Sequence, residues 1–418
     1  MFKFVHAADL HLDSPFQGLS DDAPEIRRLL YDATFLAMNN LIDLCIDENV
    51  DFLLIAGDLY DSKDRSLRAQ LRLRRGLTKL ADAGIASYIA HGNHDPLNGW
   101  QASIELPNLV HVFDDRIGSV IHSRSGEPIA IVHGISYNRP DIKENLSLKF
   151  ERRDSPLFQI GLLHCNVGDK TGHEPYSPCS IADLVAAGLD YWALGHVHKG
   201  GVLREHSPCI IYAGNTQGRH VNESGPRGCY IVNVDDAHGV RTEFHAIDAL
   251  RWHSIAQSID KIANPDGLLN AIQGSLHRIQ ADASGRPSVC RLTLTGRGPM
   301  HSDLSMMNRA EEYFSEIREF GMSLSPIVWV SDMRLETKWE IDLGRRMASN
   351  DVVGDCLRLI DQYCRDGIER ARLSECLDEL LLHRSAGRYI DRFDDKTLIR
   401  LLESAQSILL NELLGAED

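Results

Sequence analysis

Residues 52–58 read Phe52-Leu53-Leu54-Ile55-Ala56-Gly57-Asp58, an unbroken apolar run that stops at a glycine and a carboxylate. Five apolar residues bounded by turn formers read as a strand buried on both faces. The pattern recurs. Residues 2–5 lead to Asp9, 87–90 to Asn93, 129–132 to His133, 158–163 to His164 and 191–194 to His196. Helical stretches separate the early runs, at roughly 23–48 and 65–83. Strands alternating with helices predict α/β architecture. In such sheets ligands gather beyond the carboxyl ends of strands, where all of these polar motifs fall.

The motifs are Asp9-Leu10-His11, Gly57-Asp58, Gly92-Asn93-His94-Asp95, His164 and Gly195-His196-Val197-His198. They supply carboxylate, imidazole and amide groups and no thiolate. That set suits Mn, Fe, Co or Zn. Two such ions a few Å apart clamp a phosphoryl group, so hydrolysis of a phosphate ester is the expected chemistry. Residues i and i+2 of an extended chain share a side, which would bring Asp9 with His11, and His196 with His198, onto one ion. Gly57 permits close backbone approach, so Asp58 can bridge two ions. Asn93 offers a carbonyl, His94 points elsewhere, and Asp95 is expected to orient the His94 ring. Taken singly, D-x-H and G-D are ordinary turns. The weight lies in the ordered series, each member behind a strand. His6, His91 and His133 fit no ligand pattern and are expected in hydrogen-bonded structural roles.

This series resembles the calcineurin-like metallophosphoesterases. The stretches AADLHLDSPF, LLIAGDLYD, IAHGNHD, LLHCNVG and LGHVHK narrow the resemblance to the SbcD-type DNA exonuclease family. YAGNTQGRHVNESGPRGCYIV, from Tyr212, narrows it further to its YhaO-type bacterial members. The resemblance covers about residues 1–245. It implies a β-sandwich flanked by helices and two divalent ions, Mn2+ first among them. It implies Asp9, His11, Asp58 and His198 as ligands of one ion, and Asp58, Asn93, His164 and His196 as ligands of the other. His94 would be the catalytic histidine, with Asp95 beside it. It also implies DNA as substrate and an SMC-like coiled-coil ATPase as partner, and leaves homodimerisation open. One departure stands out: Asp61 occupies a position where nuclease relatives often place a phosphate-contacting histidine.

Composition bounds the rest. The 418 residues allow two or three domains, and 43% hydrophobic content supports a real core. No run of about 18 apolar residues is evident, so no membrane span is expected. The chain enters a strand at once, so no signal peptide is expected. Nine scattered cysteines form no C-x-x-C pair, which fits a reduced, cytoplasmic protein. A net charge of −16 argues against a strong free-standing nucleic-acid binder. Yet Arg65, Arg68, Arg72 and Arg75 recur on one helix face just after Asp58, with Arg74 and Lys79 nearby. Such a stripe either tracks a phosphate backbone or is a solvated face. Arg219 and His220 are further candidate substrate contacts.

After a catalytic domain of 1–250, residues 255–280 read as helical with a loop at 263–267. Residues 289–294 and 327–330 read as strands around an amphipathic helix at 304–320. This suggests a small α/β accessory domain at 251–340, a place where SbcD-like proteins carry a domain that caps the site and contacts DNA. Residues 341–418 read as a helical region. Its last helix, 394–414, carries Leu398, Leu401, Leu402, Ala405, Ile408, Leu409 and Leu413 as a broad apolar face, with Ile399 and Leu410 beyond it. That face either packs on its own domain or docks a partner, as helices after the nuclease domain do in SbcD-like proteins. Three functions are compatible: a DNA exo- or endonuclease subunit, a phosphoesterase for a cyclic nucleotide or nucleotide sugar, and a metal-bound scaffold. The intact His94 counts against the scaffold.

Overall fold

A computed structural model describes residues 1–14, 24–61, 66–99, 104–168, 176–340, 343–381 and 393–414. The apolar runs form strands. β1 (Phe2–Ala7), β2 (Phe52–Ala56), β3 (Ala86–Ala90) and β4 (Val110–Val112) pair in parallel. β5 (Gly118–Arg124), β6 (Glu127–Gly134) and β7 (Phe158–His164) begin a second sheet. β8 (Asn166–Val167) and β9 (Pro178–Cys179) form a short ribbon. β10 (Tyr191–Gly195), β11 (Gly201–Arg204) and β12 (Cys209–Tyr212) complete the second sheet. The chain then returns to the first sheet as β13 (Gly228–Val234) and β14 (Val240–Ala246). The spatial orders are β14-β13-β1-β2-β3-β4 and β11-β12-β10-β7-β6-β5.

Side chains alternate across each strand, and the alternation sets the layers. Phe4, Phe52 and Leu54 of the first sheet meet Val132, Phe158, Ile160 and Tyr191 of the second in one buried interior. Phe4 stacks on Phe52 at 5.0 Å, and Tyr191 meets Phe4 edge-on at 5.2 Å. On its outer face the first sheet turns Val5, Leu53, Ile55 and Ile89 toward two helices, α1 (Pro24–Asp47) and α2 (Leu67–Asp82), which contribute Phe35, Met38, Leu41, Leu73 and Leu77. On the second sheet's outer face Leu163, Trp192 and Leu194 cover Leu184 of α3 (Ile181–Ala186). The central strands β2, β3, β7 and β10 are therefore buried on both faces, as the unbroken apolar runs require. Phe52→Ala would cost about 3–5 kcal/mol by loss of transfer energy and cavity formation.

By length and composition, residues Ile26–Asp47 of α1 could cross a membrane, a property the sequence reading did not detect. Half of that window is buried, its apolar side packed on the first sheet.

The chain divides into two compact units. One comprises Met1–Ser254, Leu276–Arg291 and Gly321–Ser331; the other comprises Ile255–Ser275, Leu292–Phe320 and Asp332–Asp418. A three-stranded sheet, β15 (Arg251–Ser258), β16 (Ser288–Arg297) and β17 (Val328–Lys338), has residues in both. The expected helix over 255–280 begins only at Pro265, as α4 (Pro265–Asp282). Residues 255–258 belong to β15, where His253, Ile255 and Gln257 are half-buried and Ser254 and Ala256 are exposed. Polar residues at half-buried positions hid the period of two.

α5 (Met300–Ser305) and α6 (Met307–Ser323) break at Met306, which is extended. α7 (Leu343–Met347), α8 (Val352–Arg365), α9 (Gly367–Leu381) and α10 (Asp395–Leu414) follow. Leu410 of α10 packs with Val353 and Leu357 of α8. Leu398 is buried too, whereas Leu401 and Ile408 are exposed. The side chain of Leu413 lies outside those described.

Candidate metal centre

The motif residues lie on the loops that follow β1, β2, β3 and β10 and at the last residue of β7. The loops are not extended. Asp9, His11, Asp58 and His196 have φ of 50°, 41°, 52° and 99°. The left-handed region costs a non-glycine residue about 1–3 kcal/mol, and such strain gathers at functional sites. Here backbone pairing holds it: Asp9 N donates to Gly57 O (3.1 Å), His11 N to Asp58 O (3.0 Å) and Leu12 N to Leu59 O (2.8 Å). Asp9 and His11 do share a cluster, but tight turns place them there, not the alternation of a strand. The two histidines of the last motif separate. His198 Nε2 lies 3.1 Å from His11 Nε2, while the His196 ring centroid lies 5.2 Å from that of His164. The two sheets' strand ends meet closely: a Cβ at Gly195 would lie 1.8 Å from Ala56 O.

Proton placement shows what the cluster requires. His11 Nδ1 faces Asp61 Oδ1 at 2.8 Å, and His198 Nδ1 faces Glu223 Oε1 at 2.5 Å. Carboxylates only accept, so both Nδ1 atoms carry the proton and both Nε2 atoms are lone pairs. Those lone pairs confront each other at 3.1 Å. His164 Nδ1 donates to Ala56 O at 2.9 Å, so Nε2 is the nitrogen turned toward the centre. It faces Asn93 Oδ1 at 3.0 Å and Asp58 Oδ2 at 3.4 Å, both acceptors. The opposed lone pairs of His11 and His198, and the oxygens that face His164, call for a cation or a proton between them. Imidazoles whose other nitrogen is pinned by a carboxylate or a carbonyl are the usual form of metal-binding histidine. Among the described residues, three overlapping groups could hold an ion: Asp9, His11 and His198; Asp9, Asp58 and His164; and His11, Asp61 and His94. Asp58 is central, since its Oδ2 also lies 3.8 Å from His11 Nε2 and its Oδ1 accepts His94 N–H at 3.0 Å. Asp9 accepts His196 N–H at 3.1 Å.

Charge follows burial. Burial drives the Asp9 carboxyl up to about 6, against the pull of His164 and His198. Burial alone would depress His164, but Asp58 and Asp9 raise it to about 9. Burial also holds His11 down at about 4. Asp58, although buried, lies well below the ordinary carboxylate range because His164 and His11 surround it. Without a cation the cluster keeps protons that a divalent ion would displace.

The structure corrects the role of Asp95. Its carboxylate accepts from Gly92 N (2.7 Å), Leu59 N (2.9 Å) and His91 Nδ1 (2.9 Å), so it ties the turn and not the His94 ring. Asp61 holds His94 instead. Its Oδ1 lies 2.8 Å from His94 Nδ1 and 2.8 Å from His11 Nδ1, and its Oδ2 accepts from Arg219 at 3.0 Å and from Ser14. Burial opposes ionisation of Asp61, but the two imidazoles and Arg219 hold it well below the usual range. Burial would lower His94, yet Asp61 and Asp58 raise it on balance.

Arg65 lies outside the described residues. Arg68 is committed to Asp13 (2.8 Å) and Asp32 (2.5 Å) and lies over Tyr31 and Phe35. Arg72 lies over Phe35 at 5.4 Å, and Arg75 is exposed. Arg74 donates to the backbone carbonyl of Glu105 and Lys79 pairs with Asp43, so Arg68 and Lys79 are offset by carboxylates. Arg219 joins the cluster through Asp61. His220 instead accepts Asn222 N–H within its own turn.

His6, His91 and His133 are held by hydrogen bonds, as expected. His6 is buried between Tyr191 OH (3.0 Å) and Leu194 O (3.2 Å), and His133 sits between Ser119 and Gln159. The sequence reading missed two carboxylates, Asp61 and Glu223. Asp61 registered only as a departure from the resemblance. Glu223 lies 25 residues from His198 and carries no local signal.

A family model described as calcineurin-like phosphoesterase matches residues 2–200. One described as metallophosphoesterase YhaO, middle domain, matches residues 252–338. The chain is 34% identical over 414 residues to the uncharacterized metallophosphoesterase YhaO of Bacillus subtilis, covering 98% of this chain and 97% of that one. It is 23% identical to the DNA double-strand break repair protein Mre11 of Sulfolobus acidocaldarius, over 85% of this chain and 90% of that one. Mre11 of Thermoplasma acidophilum is also 23% identical, with 77% and 81% covered.

Proposed function

The chain belongs to the calcineurin-like metallophosphoesterases, and we propose that it is a dinuclear-metal phosphodiesterase whose substrate is DNA. The observation that carries the chemistry is the shared carboxylate: Asp61 holds both His11 and His94 at 2.8 Å. Asp9, His11, Asp58 and His198 would hold one ion, and Asp58, Asn93, His164 and His196 the other. Manganese is the first choice, with iron, cobalt and zinc as alternatives. When bound, such ions supply Lewis acidity and neutralise charge on the phosphoryl oxygens.

The chain's own residues do the rest. Asp61 accepts the Nδ1 proton of His94 and leaves Nε2 to serve the leaving oxygen. Asp58 and Asp61 favour the protonated ring, so His94 is poised to donate. Such general acid catalysis is worth about 10²–10⁴-fold. Arg219 is anchored on Asp61, and its buried Nε has no hydrogen-bond partner among the described residues. It is placed to donate to a phosphoryl oxygen.

DNA as substrate is supported by the two Mre11 relatives, whose names assign them to double-strand break repair and which match most of this chain. An SMC-like coiled-coil ATPase is the proposed partner. The exposed Leu401 and Ile408 of α10 offer it an apolar face. The −16 charge favours a second reading, a phosphoesterase for a cyclic nucleotide or nucleotide sugar. The test uses Mn2+ with linear duplex DNA and, separately, bis-p-nitrophenyl phosphate. Degradation of DNA supports the first reading. Hydrolysis of the small diester alone moves the assignment to the second, and inertness toward both removes the two together.

A further inference from the structure

We propose that Glu223 is a positioning residue that fixes the metal ligand His198 and, with the same carboxylate, the loop that delivers Arg219. Its Oε1 takes the Nδ1 proton of His198 at 2.5 Å. Its Oε2 takes Arg219 N–H at 2.7 Å and Asn215 Nδ2 at 3.0 Å. The carboxylate is thus saturated by three donors from three places in the loop region. Arg227 braces the same residues from behind: its guanidinium donates to His198 O (2.5 Å), Asn215 Oδ1 (3.2 Å) and Glu223 O (3.2 Å).

The geometry has a directional consequence. A carboxylate on Nδ1 fixes the tautomer of His198, aims Nε2 toward His11 and makes that nitrogen a better donor. Arg219, seated by its backbone on Glu223, reaches Asp61 with its side chain at 3.0 Å, and Asp61 holds His11 and His94. Glu223 therefore supports both imidazoles of the Asp9–His11–His198 group, one directly and one through Arg219 and Asp61. His164 is pinned by a backbone carbonyl instead, so it does not depend on Glu223. Loss of Glu223 should weaken one metal position and spare the other.

This inference rests on the dinuclear reading, and the experiment separates the two. Mn2+ is titrated calorimetrically into metal-free full-length protein as wild type, Glu223→Ala and Glu223→Gln, and the melting temperature of each metal-free protein is recorded. Loss of a carboxylate behind a ligating histidine typically lowers affinity about 10–100-fold. Glu223→Ala should show that loss at one of two positions with the other position spared, and a metal-free melting temperature lowered because three donors lose their acceptor. Glu223→Gln keeps an acceptor for His198 and should lose less. If the alanine variant does not fold, the glutamine variant carries the test by the same criteria. Wild-type affinity at both positions in the soluble variant, or equal losses at both, overturns the positioning role. Failure of the wild type to bind two ions overturns the dinuclear reading on which it rests.

Discussion

Gly92 stands where no side chain fits, and Gly92→Ala is a sharp perturbation of the centre. A Cβ there would lie 2.3 Å from Asp58 Oδ1 and 2.9 Å from His164 Cε1 and Nε2. Its φ is not in the left-handed region, so the backbone accepts alanine and the conflict falls on the two ligands. Side chains do not approach a Cβ within 3.0 Å, so Asp58 must retreat by about 0.7 Å or more, and a misplacement near 1 Å costs about 10²-fold in rate. Overpacking of this kind destabilises a fold by about 1–3 kcal/mol. The expected result is a folded protein with a slightly lowered melting temperature, weakened Mn2+ binding and a hydrolysis rate reduced about 10²-fold or more. The assays are bis-p-nitrophenyl phosphate turnover, metal titration and thermal denaturation on the same preparation. Wild-type turnover with both ions bound would refute the placement of Asp58 at the heart of the site.

Three further outcomes follow from particular contacts. Burial holds His6 at about 3 in the folded protein, against 6.5 when unfolded, so only the unfolded chain takes up that proton as pH falls from 6.5 toward 3. His6 should therefore weaken the fold by up to about 1.4 kcal/mol per pH unit in that window, with no such effect above pH 6.5. In chemical denaturation, the stability of wild type relative to His6→Gln should fall with pH below 6.5; a constant difference contradicts the burial argument. If DNA follows the α2 face, Arg72→Ala with Arg75→Ala should weaken DNA cleavage, spare the small diester and flatten the salt dependence of binding by about one log–log unit per lost phosphate contact. Equal losses on both substrates would mean damage to the fold. If α10 docks the proposed ATPase partner, removal of residues 394–418 should leave diesterase activity intact but abolish co-purification with a coiled-coil ATPase of that kind. Unchanged complex formation by a soluble truncation removes the docking role, and an insoluble one favours packing of α10 on its own unit.

The strands before Asp9, Asp58, Asn93, His164 and His196 were legible because burial on both faces demands unbroken apolar runs. The candidate ligands were legible because the chemistry demands Asp, His and Asn immediately after them. Their aim was not. Left-handed turns at Asp9, His11 and Asp58 place the side chains, and nothing in local composition announces those angles. Asp95 adjoins His94 in sequence, yet the turn folds its carboxylate back onto Gly92, Leu59 and His91. Asp61 and Glu223 act through contacts made across loops, so their roles appear only once the two sheets have brought those loops together. β15 escaped because His253 and Gln257 occupy half-buried positions where a strand pattern calls for apolar residues.

The central claim is that the imidazole of His94, held by Asp61, acts at a phosphodiester positioned by metal ions. Mn2+-dependent turnover of wild type and His94→Asn, each measured beside its metal content, tests it most directly. Chelation should abolish activity, and Mn2+ should restore it. His94→Asn should bind as much metal as wild type while turning over about 10²–10⁴-fold more slowly. Full activity in metal-free buffer, or a His94→Asn protein as fast as wild type, would contradict the mechanism.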